Sequence, residues 1–138
     1  MKQFVIFLLA LSSIRQASAQ TSAEHELTGI IHDWYNSINK GELGHLSDLL
    51  TDDFQLIAFG DRFDNKEVLG LVKDYSEVAY TLNKVGYGSD VSFGFIICEV
   101  ELNYKFQGMP IMGKASEVYI FKKVGERWKI DSKTMVMM

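Results

Sequence analysis

One cysteine, Cys98, and one proline, Pro110, are all that a chain of 138 residues contains of either type. A lone cysteine permits no internal disulfide, so packing must hold the fold without a covalent staple. Cys98 lies in an apolar strand-like run and reads as a buried, inert thiol, since free cysteine is among the most buried residue types. Positive charge is scarce, with 14 Lys and Arg against 18 Asp and Glu. Lys122 and Lys123 form the only adjacent basic pair, which argues against a nucleic-acid partner because phosphate neutralisation needs clustered Lys and Arg. Only three histidines occur, His25, His32 and His45, without a His-Glu-x-x-His element or a cysteine partner, so no metal site and no cofactor are expected. Gly86-Tyr87-Gly88 precedes a strand instead of joining strand to helix and is no dinucleotide fingerprint. No nucleophile elbow or phosphate loop is present. Long apolar runs are also missing: Phe4–Leu11 falls far short of the roughly 20 residues that span a bilayer, so no membrane span is expected in the mature chain.

What is present begins with an export signal. Lys2 supplies a positive end, Phe4–Leu11 an apolar core and Ala17-Ser18-Ala19 a small-residue cleavage site. Residues 1–19 are therefore expected to be removed after Ala19, delivering the protein to a periplasm or the medium. That cut takes Lys2 and Arg15 and no acid, leaving 12 basic against 18 acidic residues in a single domain, residues 20–138.

In the mature region, Leu27, Ile30, Ile31, Trp34 and Ile38 follow the spacing of one helix face, with Tyr35 at its border. Gly41 stops that helix. Leu43, Leu46, Leu49 and Leu50 mark a shorter second helix, Thr51-Asp52-Asp53 a turn, and Phe54–Phe59 a strand. Asp64 with Glu67 forms a capping box for a third helix whose apolar set runs from Val68 through Tyr75 and Val78 to Ala79. Strands are then expected near residues 80–85, 91–106, 111–123 and 127–136. Turns at Gly86–Ser89, Gln107–Pro110 and Val124–Glu126 separate them. The strand from Val91 to Phe106 is long enough to require a bend, expected as a bulge near Gly94.

Three elements in this order, Ile38-Asn39-Lys40-Gly41-Glu42-Leu43, Leu50-Thr51-Asp52-Asp53-Phe54 and Gly125-Glu126-Arg127-Trp128-Lys129-Ile130, resemble the nuclear transport factor 2-like superfamily, most nearly its SnoaL-like and ketosteroid-isomerase-like branch. The resemblance implies an α+β, cystatin-like fold: a cone-shaped, curved, mostly antiparallel sheet packed on three N-terminal helices, enclosing a pocket and often forming homodimers through the sheet. In the isomerase pattern a first-helix tyrosine donates to the substrate oxygen, and Trp34 stands in that place. The pattern's general-base aspartate falls on Ala58, which carries no titratable group, so the isomerase chemistry does not transfer. Glu117 or Tyr119 falls near the second oxyanion donor.

Phe54, Leu56 and Ala58 share a parity and are expected to form an apolar wall. Glu117 lies on the parity of Ala115, Tyr119 and Phe121; facing inward, it would be a buried acid or base, and facing outward, a solvated carboxylate. Trp34, Tyr104 and Tyr119 are either ligand-contacting aromatics or core packing, while Trp128 is expected under a helix. Asp52 and Asp53, adjacent at a turn, point apart and are not read as a catalytic pair. Asp131, with Lys129 and Lys133, is expected to face water, leaving Ser132 and Thr134 on the pocket side.

Three functions remain open: an exported binding domain for a small apolar or aromatic molecule; a SnoaL-like isomerase, cyclase or lyase using Glu117 or Tyr119; and a non-catalytic dimerisation module.

Overall fold

The computed structural model describes residues 22–138. The expected leader and its cleavage site lie outside the described residues. Helix α1 covers residues 22–40 and buries Leu27, Ile31, Trp34, Tyr35 and Ile38, the apolar face its spacing implies. It stops as expected: Gly41 takes φ +69°. The Gly41 amide then donates to the Ile38 carbonyl at 3.2 Å and the Glu42 amide to the Ser37 carbonyl at 2.9 Å. Those two bonds satisfy carbonyls that the helix end leaves without partners.

Helix α2, Leu43–Asp48, and helix α3, Asn65–Val72, complete the helical layer. At α3 the capping box is closed from both sides. Glu67 N–H donates to Asp64 Oδ1 at 2.9 Å, and Asp64 N–H to Glu67 Oε2 at 2.7 Å. Six strands follow or interleave: β1 Leu50–Ala58, β2 Asp61–Asp64, β3 Tyr75–Ser89, β4 Phe93–Phe106, β5 Met109–Val124 and β6 Arg127–Met137. They form one curved sheet in the order β2-β1-β6-β5-β4-β3. Only the β1–β6 pairing is parallel. Alternate residues of β4 (Ile96, Cys98, Val100, Leu102, Tyr104) are buried on the face that the helices cover.

Several local expectations are corrected. Thr51-Asp52-Asp53 belongs to β1 and forms no turn; the ladder to β6 shifts register between Leu50 and Gln55, and both aspartates are exposed. Strand β2 had no expectation at all. The third helix ends at Val72, not Ala79, because Tyr75 enters β3, where its ring lies 5.0 Å from those of Tyr104 and Phe106. Tertiary packing there outweighs the helical spacing of Tyr75, Val78 and Ala79. Gly86–Ser89 is strand, paired to Ile97–Gly94. The reversal comes at Asp90, whose Oδ1 accepts from the amides of Ser92 and Phe93, both at 2.9 Å.

No bulge occurs at Gly94. The β4–β5 ladder runs unbroken from Phe93↔Lys122 to Phe106↔Met109. Gly94 instead admits α1: a Cβ there would stand 2.7 Å from Leu27 Cδ1. Besides the shift on β1, irregularities lie on β3, between Ser76 and Ala79 and between Lys84 and Gly86, and on β6. At the first of these Glu77 takes φ +51°, and the freed Val78 amide donates to Asn39 Oδ1 of α1 at 3.0 Å. That bond fixes the end of α1 against the sheet.

Candidate functional site

A cavity of about 70 Å³ lies between α1, α3 and the concave face of the sheet. Trp34, Tyr35 and Ile38 reach it from α1, and Leu71 and Val72 from α3. Tyr75 and Val78 of β3 face Leu102 and Tyr104 of β4, while Leu56, Phe59, Lys133 and Met135 close the remaining side. The lining is almost wholly apolar. Its polar groups are the ammonium of Lys133 and a few hydroxyls.

Lys133 is 3 % exposed and Glu117 is fully buried. Lys133 Nζ lies 2.6 Å from Glu117 Oε2 and donates to Tyr35 Oη at 3.3 Å. Oε2 receives the ammonium off the hydrogen-bonding angle and no other donor. Glu117 Oε1 accepts from Tyr119 Oη at 3.1 Å and, in a short contact, from Tyr35 Oη. The rings of Trp34, Tyr35 and Tyr119 stand 4.7, 4.8 and 5.1 Å from the ammonium, an arrangement that favours a cation. Burial first, and the Glu117 charge second, push the hydroxyls of Tyr35 and Tyr119 well above the usual phenol range. Both stay protonated at neutral pH and serve as donors. Cys98, opposite Glu117 on β4, is pushed from 9.0 up to about 12 by burial and then by that carboxylate, so its thiol is inert.

Lys133 reaches this site because β6 carries an extra residue. Phe121 pairs with Ile130 but Ile120 with Ser132, so Asp131 is looped out of the ladder. Trp128 and Ile130 point inward before the bulge; Lys133 and Met135 do so after it. The expectation that Lys133 faces water and Ser132 and Thr134 face the pocket is therefore corrected. Ser132 and Thr134 share the outer face, and neither lines the cavity. Asp131 is half-buried and accepts from Thr51 Oγ1 at 2.8 Å.

The other candidate residues divide by depth. Trp34, Leu56 and Tyr104 line the cavity. Phe54 and Ala58 are buried outside its lining, with the Phe54 ring 5.9 Å from that of Trp34. Glu117 sits behind Tyr35 and Lys133 and is bonded to both, Tyr119 donates to Glu117, and neither Glu117 nor Tyr119 lines the space. Of the thirteen lining residues only Trp34, Leu56 and Tyr104 were expected; the ten missed include Tyr35 and Lys133, the two that contact Glu117. A signal existed for Lys133: an inward Glu117 requires a cationic neighbour, since a buried unpaired charge is costly.

The sequence matches no family model and no curated protein. Its backbone matches solved structures over most of their length. A candidate dehydratase of the nuclear transport factor 2-like family from Streptomyces avermitilis superposes with a TM-score of 0.75 at 13 % identity, covering 86 % of this chain and 97 % of that one. This chain has the nuclear transport factor 2-like fold. A candidate calcium/calmodulin-dependent kinase II association domain from Exiguobacterium sibiricum gives 0.76 at 15 % identity, over 84 % of this chain and 93 % of that one. A hexachlorocyclohexane dehydrochlorinase gives 0.73 at 14 %, over 85 % and 86 %.

Within this nuclear transport factor 2-like cone, the arrangement can hold a ligand more readily than it can move a proton. Glu117 is engaged by an ammonium and two phenols and does not reach the cavity surface. Ala58 supplies no base. Among the described residues no group of His, Cys, Asp and Glu is arranged to hold a metal, and no helix is long and apolar enough to cross a membrane.

Proposed function

We propose that this chain is a small-molecule-binding domain whose cavity takes a compact, mainly apolar ligand, and that it is exported and works as a homodimer. The observation that carries the reading is the cavity of about 70 Å³ with an apolar lining and one buried ammonium. At roughly 10–15 Å³ per water it has room for several solvent molecules, yet its apolar walls offer them few hydrogen bonds. An apolar guest gains there what water cannot. The volume is well below the roughly 300–1,000 Å³ of drug-sized sites, so the ligand is small unless Phe59 and Met135 swing aside.

The dimer reading is supported by the sheet face turned away from the helices. Ile97, Val118 and Thr134 align across β4, β5 and β6, as do Phe95, Ile120 and Ser132, and all six are only half-buried. Four of the six, Phe95, Ile97, Val118 and Ile120, are apolar, and a partly exposed apolar patch of that kind commonly marks an interaction surface. Export is supported by the order of Lys2, Phe4–Leu11 and Ala17–Ala19.

Native mass spectrometry of the full gene product, expressed in an exporting bacterial host, tests all three parts. The expected species is a dimer of chains lacking residues 1–19 and carrying an added small mass that denaturation releases. A dimer that carries nothing and takes up no apolar probe would favour a pure association module. A monomer would remove the dimer, and an uncut N-terminus would remove export.

A further inference from the structure

We propose that the ligand presents a neutral oxygen acceptor, a carbonyl, ether or hydroxyl oxygen, to the Lys133 ammonium, and that carboxylates and amines are rejected. This rests on the binding reading above and names the chemistry of its ligand. An ammonium has three N–H donors. The ammonium pairs with Glu117 Oε2 at 2.6 Å, off the hydrogen-bonding angle, and donates one N–H to Tyr35 Oη at 3.3 Å. Even with the ion pair occupying a second N–H, a third has no acceptor among the described residues, although Lys133 is buried and lines the cavity. The three aromatic rings stabilise the charge without supplying a full acceptor. Buried donors of this kind are nearly always paired, which leaves a cavity occupant as the missing partner.

The sign of the ligand's charge follows from the cluster. Lys133 and Glu117 neutralise each other, while Tyr35 and Tyr119 stay protonated. A carboxylate would add an unbalanced negative charge beside Glu117, and an ammonium would add a positive one beside Lys133; in an apolar cavity neither is compensated. A neutral acceptor takes the free N–H and leaves the charge balance unchanged. Tyr35 Oη already donates to Glu117, so Lys133 is the anchor.

Four probes of nearly equal size and shape test this: butanone, 2-methyl-1-butene, propanoate and sec-butylammonium. Binding to the folded protein is followed by NMR at the Trp34 indole N–H, assigned with Trp128→Phe. Butanone is expected to bind about tenfold more tightly than the alkene, the effect of one hydrogen bond to a charged donor. The two ions are expected to bind more weakly than the alkene. Equal binding of ketone and alkene, or tighter binding of either ion, would overturn the inference while leaving the cavity reading intact; no response to any of the four would remove both. The paired variant Lys133→Met with Glu117→Gln, which leaves no lone buried charge, should lose the tenfold ratio of ketone to alkene affinity. A preference that survives in that variant would also overturn the assignment.

Discussion

Lys133 is the residue on which the interior depends, because its ammonium and the Glu117 carboxylate were both taken out of water and hold each other there. Removing one partner of such a pair leaves a buried, uncompensated charge, whereas replacing both can be nearly neutral. Lys133→Met alone is accordingly expected to destabilise the fold by about 3–5 kcal/mol, and adding Glu117→Gln to restore most of the loss. Urea unfolding of the two variants checks this; a single variant as stable as the wild type would mean the pair is not buried in solution. The hydroxyls of Tyr35, Tyr75 and Tyr119 and the Cys98 thiol all have raised folded-state values, Tyr75 and Cys98 to about 12, with burial the largest cause in each. For a raised group the folded state holds the proton more tightly. Stability from these groups is therefore complete below the unfolded value and is lost as pH rises through the folded one. The decline is expected to begin near 9, where Cys98 leads, and to steepen by about 1.4 kcal/mol per pH unit for each further group engaged. Cys98→Ala should delay the onset toward the phenol range, which unfolding measured across alkaline pH would register.

At the scale of elements, ends and faces were legible where a local rule acts alone. The spacing of Leu27, Ile31, Trp34 and Ile38, the stop at Gly41 and the Asp64–Glu67 box all appear as read. What one sequence does not display is a change of register. Asp131, looped out of β6, reverses the parity that runs from Trp128 to Ile130, so Lys133 exchanged faces with Ser132 and Thr134. Tyr75, Val78 and Ala79 carry helical spacing and still form a strand, because β4 offers Tyr104 and Phe106 as partners. The β1–β2 turn has its own tension. Phe59 and Gly60 have φ of 56° and 78°, the pattern of a type I′ turn, in which Asn normally precedes Gly. A bulky side chain in the left-handed region is strained, and Phe59 is 59 % exposed at the cavity wall. Phe59→Asn is expected to raise stability by about 1 kcal/mol and to speed release of a bound probe. A lower unfolding midpoint would show that the ring's packing exceeds its strain.

For the whole molecule, the order of helices and strands follows from punctuation spread along the sequence, and it places a sheet with one helix-covered face and one open face. The cavity follows from that order only in outline. Its size and its charged end depend on the bulges of β3 and β6, which no residue pattern announces. The space between the helices and the sheet is open and lined by apolar side chains. Xenon binds apolar cavities and needs no hydrogen bond. Crystals of the protein pressurised with xenon are expected to show one ordered atom among Trp34, Leu56, Leu102 and Met135. A structure in which those side chains meet and the space holds no xenon would contradict the account.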